Sequence, residues 1–527
     1  MAQRRHNFIS GAAVLALAVA VTKVLGALYK IPLGNLLDKE GMAHFYAAYN
    51  IYNLLLVLST AGLPLALSRL VSRAAAQGRR NAQRRIFRTA LALLAVIGAV
   101  CSAVMCLFPQ VLSGLLHDSL AAPAIRTLGP AVLFVCLTSA IRGYTQGLGD
   151  MTPTAVSQMT ESAGKLVIGL ALCLVLLHRG ADSSLCAAGA IAGVTAGSLL
   201  SLTVLTVFLL RRRDRAAVDV PPARSAVLRE LLTADIPITL GAAGMSLITL
   251  LDQALVMSTL QNTLGYTEAA ATALYGEYTF GMTLFALPPS FIYPVTVSLV
   301  PDISAALARS DRPAAGRSAA AALKLTTLIA LPTGAGLSVL AGPILRLLYP
   351  AVPDTAAAAA YHLTILGIAC IFVCLMVATN GVLQAYGKEY IPVVTLLCGG
   401  ILKIITNYLM VGDPATNVRG APVSTLYCYG LIVVLNLIAI ARCVPERPSY
   451  LRLFARPVLI TAVMALAARS SYGLLSRSLP ERWAVLPAIA VAVVVYGVLV
   501  LALGAVTRKD VLDLPKGEKI ARMLHLH

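Results

Sequence analysis

"RGYTQGLGDMTPTAVSQMTESAGK", residues 142–165, lies between two long apolar runs yet carries Arg142, Asp150, Glu161 and Lys165, two glutamines and a proline. The same grammar returns at 380–403 as "NGVLQAYGKEYIPVVTLLCGGILK", where Gly381, Gln384 and Lys403 follow Gly143, Gln146 and Lys165, each 238 positions further on. A second echo links "AGLPLALSRLVS" to "SFIYPVTVSLVP": Pro64 and Ser68 recur as Pro294 and Ser298, 230 positions on. Two echoes at similar offsets mark an internal duplication, and the material between them says what was duplicated.

That material is apolar. Of 527 residues 58% are hydrophobic and only 12% charged, against roughly 25% charged in soluble domains. Crossing a hydrocarbon core takes about 20 helical residues. Stretches of that length fall at 8–29, 45–68, 87–116, 127–149, 154–177, 185–210, 236–260, 271–300, 319–348, 358–386, 390–411, 420–443, 453–475 and 482–506. The sequence therefore predicts an all-α polytopic membrane protein of about 14 transmembrane helices. Six spans separate the members of each echo, an even number, so the two copies share an orientation. That predicts two parallel six-helix lobes facing a central site, the plan of a transporter. The expected organisation is a first lobe at 1–215, a second at 216–445, and two extra transmembrane helices with a cytoplasmic tail at 446–527.

Short cytoplasmic loops collect Lys and Arg. Arg4 and Arg5, Arg69 through Arg88, "RRRDR" at 211–215 with Arg224 and Arg229, Arg309 to Arg317, Arg442 to Arg456, and the tail from Arg508 to Arg522 fall on alternate connections. The intervening "LLDKEG", "HDS", "QNTLGYTE" and "GDPATN" are short and poor in cations, with "RSLPER" at 477–482 a mild exception. The pattern predicts a multi-pass protein of the cytoplasmic membrane with both termini cytoplasmic. The net charge of +19 is then topology signal and contact with anionic headgroups of membrane lipids, and no nucleic-acid partner is expected. The ten cysteines, mostly inside apolar runs and without CxxC or metal-ligand spacing, read as small hydrophobes, so no metal is expected. The first span follows Arg4 and Arg5 as a signal peptide would, but its length and the following "YKIPLGNLLDKEG" predict that it is retained.

Ionisable groups at membrane depth are costly and face a cavity, a partner or the interface. Lys23, well inside the first span, reads as cavity-facing, whereas Lys30 at the rim reads as snorkelling. Asp252 in "LITLLDQALVM" either pairs with Lys23 across the halves, binds a coupling cation, or joins a structural ion pair. Glu277 lies near the start of span eight in "ALYGEYTF". Glu161 and Lys165 stand at i and i+4 in the favourable Glu-before-Lys order and can neutralise each other. Lys403 has no acidic residue four positions before it, which makes it a stronger candidate than Lys165. Gly143, Gln146, Gly381 and Gln384 read as interhelical contacts, and Pro64, Pro237, Pro288, Pro289, Pro294 and Pro392 as points where helices break or bend around a cavity. Enzyme motifs are missing: there is no P-loop, HExxH or nucleophile elbow. No cofactor is expected, and without nucleotide the drive must be an Na+ or H+ gradient, the membrane potential, or the substrate's own gradient.

"KVLGALYKIPLGNLLDKEGMAHFYAAYNIYNLLLVLSTAGLPLALSRLVS" from residue 23, "RGYTQGLGDMTPTAVSQ" from 142 and "TRKDVLDLPKGEKI" from 507 resemble the stage V sporulation protein B branch of the polysaccharide exporters and MurJ-type flippases. These belong to the multidrug/oligosaccharidyl-lipid/polysaccharide exporter superfamily. The resemblance runs over essentially the whole chain and implies alternating access and a lipid-linked saccharide cargo, an undecaprenyl-diphosphate-linked precursor of the lipid II type. It places Lys23 at a cavity-arginine position of MurJ-type proteins, and Lys165 and Lys403, which recur at equivalent places in the two halves, are expected to join it as substrate cations. Asp252, Glu277 and Glu161 become coupling or counter-charges. The chain departs from that pattern where Tyr29 or Lys30 stands for a second arginine and Glu277-Tyr278 for an acidic-then-arginine pair. Alternative cargoes are another lipid-linked oligosaccharide for capsule or other surface polysaccharide, or a drug exchanged for a cation. A non-transporting scaffold for wall-synthesis enzymes is the remaining reading.

Overall fold

A computed structural model describes residues 2–211, 219–444 and 449–505, and among these every regular element is helical. The helices are α1 (Ala2–Leu36), α2 (Lys39–Thr60), α3 (Leu63–Ala76), α4 (Arg80–Leu107), α5 (Pro109–Leu115), α6 (Ala122–Gly147), α7 (Thr152–His178), α8 (Ser183–Arg211) and α9 (Arg224–Ser258). There follow α10 (Glu268–Phe285), α11 (Leu287–Ala308), α12 (Arg312–Val339), α13 (Ala341–Leu348), α14 (Pro353–Ala385), α15 (Tyr390–Val411), α16 (Gly420–Cys443), α17 (Tyr450–Leu475) and α18 (Glu481–Ala502). The basic stretch at 212–218, Arg447 and the tail from Arg508 lie outside the described residues.

Twelve helical segments among the described residues are long and apolar enough to cross a membrane, and the two expected spans outside this set are the first and the eighth. The first expected span, 8–29, lies within α1, where the side chains up to residue 17 are outside the described ones. The eighth, 271–300, is interrupted: α10 ends at Phe285 and α11 restarts at Leu287 with proline in its first turn. Pro288 and Pro289 lack the N–H that would continue the ladder, so the chain stops and restarts there. Pro64 sits in the same way in the first turn of α3, after the break that follows α2.

The chain forms two compact units, Met1–Thr279 with Asn407–Val418, and Phe280–Thr406 with Arg419–His527. In the first, α7 and α8 are the most intimate pair. Gly189, Gly193 and Gly197 line one stripe of α8, and a Cβ on Gly193 would come within 2.3 Å of Gly169 Cα on α7. Small residues at this spacing let helix backbones touch where lipid offers no hydrophobic drive. In the same unit α6 lies against α4 and α3, and α9 against α2 and α3. In the second unit α14 is central, packed by α11, α12, α13 and α16, while α17 and α18 pair with each other and lean on α12 and α13.

The 238-residue echo has a structural content that is the same in both copies. Gly149 and Gly387, themselves 238 apart, take φ of +83° and +71° and end α6 and α14. Gly149 N donates to Gln146 O and Asp150 N to Thr145 O, while Gly387 N donates to Gln384 O and Lys388 N to Leu383 O. Both ends are Schellman-type caps, which need a residue free to adopt positive φ. Gly143 lies against α3, where a Cβ would meet Pro64 O at 2.8 Å. Gly381 lies against α11, where one would meet Thr296 Cγ2 at 2.2 Å. The side chain of Pro294 is outside the described residues.

Candidate functional site

In the first unit a cluster of tyrosines on α1 and α2 holds two lysines. Tyr46, Tyr49 and Asn53 fall at i, i+3 and i+7 of α2, one stripe of a helix. Lys30 Nζ on α1 donates to Tyr46 Oη at 3.1 Å and lies 4.6 Å from the Tyr46 ring centre. Lys165 Nζ on α7 donates to Tyr49 Oη at 3.1 Å, with the Tyr49 and Tyr29 ring centres at 5.1 and 5.3 Å. The framework is rigid: Phe45 stacks on Tyr49 at 5.6 Å and 17°. Tyr29 is fully buried and donates from Oη to Ala190 O of α8 at 2.8 Å. Its ring fits because Gly169 faces it, where a Cβ would sit 3.0 Å from Tyr29 Cε2.

Both lysines are half-buried, and among the described residues neither has a carboxylate partner. Phenol oxygens and ring faces position an ammonium, the latter contributing about 0.5–2 kcal/mol, without cancelling its charge. Each ammonium has three donors, of which one is used. Lys23, seven residues before Lys30 and so two turns away on the same face of α1, is exposed and makes no hydrogen bond or ion pair among the described residues. The outcome is a cationic surface held by aromatic rings.

The carboxylates are engaged elsewhere. Glu161 does not neutralise Lys165; it takes Arg142 Nη2 at 2.9 Å. Arg142 also donates from Nε to Ser157 Oγ at 2.9 Å and from Nη2 to Ser201 Oγ at 3.0 Å, tying α6, α7 and α8 at one point. Glu277 pairs with Lys39 at 3.0 Å, where α10 approaches the α1–α2 turn so closely that a Cβ on Gly276 would be 1.9 Å from Lys39 O. Asp252 is buried and accepts from Asn407 Nδ2 at 2.7 Å. Gln146 Nε2 donates to Thr154 Oγ1 at 3.3 Å. In the second unit Lys403 is buried on α15 and Gln384 is exposed.

The second unit repeats the three-helix tie in neutral form. Asn436 on α16 accepts from Thr395 Oγ1 of α15 at 2.8 Å and donates to Thr379 Oγ1 and Asn380 Oδ1 of α14 at 3.0 and 2.8 Å. Asn380 and Thr395 lie 238 positions after Arg142 and Ser157.

The sequence reading of Lys30 as a snorkelling residue did not include its contact with Tyr46, since distance from the span end says nothing of a tyrosine arriving from another helix. Sequence reasoning missed a fully interior pair at the α2 start, where His44 Nδ1 stands 2.7 Å from Asp118 Oδ1 with side chains 3% and 1% exposed. That contact is close enough for an ion pair but is not aligned as a hydrogen bond, and Asp118 Oδ2 has no hydrogen-bond partner among the described residues. The histidine and aspartate are far apart in sequence, and no local spacing announces them.

These features have relatives. The polysaccharide biosynthesis protein family matches residues 8–307 and the MatE family residues 237–409. Three Bacillus subtilis proteins are similar over most of their length. The uncharacterized membrane protein YabM is 26% identical, covering 99% of this chain and 97% of that protein. Stage V sporulation protein B is 24% identical over 84% and 85%, and lipid II flippase MurJ 24% identical over 88% and 88%. Among solved structures, lipid II flippase MurJ in an inward closed conformation superimposes with a TM-score of 0.72 at 14% identity, covering 93% of this chain and 98% of that one. An inward-facing multidrug resistance MATE family transporter gives 0.64 at 15% identity, covering 84% and 98%.

Fold and relatives define the class: a multi-pass helical membrane protein of the transporter and flippase kind, and not an enzyme. The chain belongs to the polysaccharide biosynthesis protein family, whose model covers more than half of it.

Proposed function

We propose that this protein is an alternating-access flippase that moves an undecaprenyl-diphosphate-linked cell-wall precursor of the lipid II type across the cytoplasmic membrane, with both termini cytoplasmic. The lobes are residues 1–215 and 216–445, with 446–527 adding two helices and a tail. The observation that carries the reading is the pair of half-buried lysines, Lys30 and Lys165, seated on tyrosines with no carboxylate among the described residues to cancel them. A diphosphate brings the negative charge and acceptor oxygens that such ammonium groups lack, and Lys23 two turns along α1 extends the cationic stripe. Lys403 serves the same cargo from the second lobe, and Asp252, Glu277 and Glu161 act as counter-charges.

The prenyl tail has a place to stay in apolar surroundings. In the second unit a cavity of about 580 Å3 is walled by Leu284, Pro288, Pro332, Leu337, Met464 and Tyr496 among others, nearly all apolar. The break between α10 and α11 and the extra pair α17 and α18 both contribute to it. An inside-negative potential favours outward movement of an anion by about 2.3 kcal/mol per charge per 100 mV, so a diphosphate head can cross without nucleotide.

A related cargo, another lipid-linked oligosaccharide for surface polysaccharide, shares the diphosphate and uses the same lysines. Drug/cation antiport needs carboxylates free for a cation, and in this protein Glu161 and Glu277 are bound to Arg142 and Lys39. The test is flipping of fluorescent undecaprenyl-diphosphate saccharides in proteoliposomes by the native protein, Lys23→Ala and Lys165→Ala at matched folded yield. Native flipping with loss in either variant is the expected result. Equal flipping by all three removes Lys23 and Lys165 from the mechanism, and no flipping by the native protein removes the flippase reading.

A further inference from the structure

A second cavity in the first unit, about 250 Å3, lies between α2 and α9 and is lined by Asn50, Asn53, Val57, Met245, Ser246 and Thr249. Four of these six are amides or hydroxyls, and none is charged. Their hydrogen bonding is incomplete. Asn50 Nδ2 donates to Gln253 Oε1 at 2.7 Å and Thr249 Oγ1 to Met245 O at 3.0 Å. The Asn53 amide and the Ser246 hydroxyl, both half-buried, make no hydrogen bond among the described residues. Gln253, the partner of Asn50, is fully buried, and its Nε2 has no hydrogen-bond partner among the described residues.

Both helices are apolar enough to span a membrane at these positions. Unsatisfied amides and hydroxyls at that depth are expensive unless they line a wet cavity or meet a polar ligand. An amide offers two donors and an acceptor, and a hydroxyl one donor and two lone pairs. That set matches a ligand rich in neutral donors and acceptors, such as the hydroxyl and amide groups of a sugar ring. It does not match a phosphate, which would find no cation here. The volume is just under the roughly 300–1,000 Å3 of drug-sized ligand sites, room for one ring rather than a whole headgroup.

Position adds the decisive constraint. Asn53 follows Tyr49 by four residues and Tyr46 by seven, so it continues the stripe of α2 that holds Lys165 and Lys30. The four residues from Tyr49 to Asn53 rise about 6 Å along that stripe. An anion-binding pair of lysines followed one turn later by a neutral amide and hydroxyl pocket is the order of groups in a diphosphate joined directly to a sugar.

We infer that the α2–α9 pocket is a saccharide subsite, in which Asn53, Ser246 and Thr249 bind the first sugar ring of the lipid-linked cargo; this rests on the flippase reading above. The subsite selects glycosylated over bare lipid, while the lysines bind both.

The test titrates two fluorescent lipids, undecaprenyl diphosphate and the same lipid carrying an N-acetylated monosaccharide, onto the detergent-purified full-length protein. Native protein, Asn53→Leu and the milder Thr249→Val are compared. The native protein binds the glycosylated lipid more tightly, by about two- to tenfold for each neutral hydrogen bond gained. Asn53→Leu abolishes that preference and leaves the affinity for bare lipid within twofold, which also shows that the variant is folded. Thr249→Val reduces the preference in part. Absence of a sugar preference in the native protein, or an equal weakening of both lipids in both variants, overturns the subsite. Binding of neither lipid by the native protein overturns the flippase reading itself and the subsite with it.

Discussion

Replacing Arg142 by Met tests whether the charge of Lys165 is free because another residue has taken Glu161. Arg142 and Glu161 are 2.9 Å apart with side chains 14% and 27% exposed, so the pair is mostly shielded but not dry. Breaking a fully buried pair costs about 3–5 kcal/mol and an exposed one about 0–1 kcal/mol. This intermediate case is expected to cost about 1–3 kcal/mol of stability. The larger effect is on transport. Glu161 sits four residues before Lys165 on α7, and once Arg142 is gone its nearest cation on the helix face is that lysine. Turning to it, the carboxylate neutralises the ammonium and removes one charge-assisted contact to the cargo, about 1.5–3 kcal/mol. Initial flipping rates in proteoliposomes should therefore fall about tenfold to a hundredfold at matched folded yield, although Arg142 is not proposed to touch the cargo. Adding Glu161→Gln to Arg142→Met should restore the rate to within a few-fold, since the amide cannot neutralise Lys165. A double variant as slow as Arg142→Met alone would refute the reasoning and make the α6–α7–α8 tie purely structural.

Further outcomes follow from the packing and the polar connections. Gly193→Val should abolish folded yield in detergent, because its Cβ would meet the Gly169 backbone at 2.3 Å, which cannot move aside. Gly473→Ala, with open space around it, should be neutral by size-exclusion profile. Asp219 caps the start of α4, its carboxylate accepting from Asn81 N at 2.8 Å and Ala82 N at 3.0 Å. Burial works against its charge, but these backbone donors and the charge of Arg79 outweigh it and hold the carboxyl below its usual range. A lowered carboxylate stabilises its contacts above the usual aspartate range and loses that contribution as the pH falls through its own value. Hydrogen exchange at Asn81 and Ala82 should therefore be protected at neutral pH and lose that protection in acid. Asp219→Asn should flatten the dependence, and unchanged acid loss in that variant would dismiss the cap.

Much of this architecture is legible because membrane helices and duplications write themselves in period and offset. The 238-residue spacing of Gly143 and Gly381 anticipates paired close approaches of α6 on α3 and α14 on α11, and Gln146 and Gln384 turn out to precede matching helix ends. What spacing cannot reveal is which partner arrives from a distant helix. Glu161 and Lys165 satisfy the i, i+4 rule, yet Arg142 reaches Glu161 from α6 with a fork that also takes two hydroxyls. Lys30 looks like a snorkelling residue until Tyr46 of α2 comes to meet it. The interruption at Pro288 and Pro289 is visible as sequence, but hydropathy averages over it and counts one span where the chain makes two helices.

The matched ties at Arg142 and Asn436 carry a consequence for how the two halves diverged. One copy binds its three helices through a guanidinium, a carboxylate and two serines, the other through one asparagine, two threonines and a second asparagine. The place of attachment is the same in both copies and the chemistry is not, so the ionic fastener belongs to one half and the neutral one to the other.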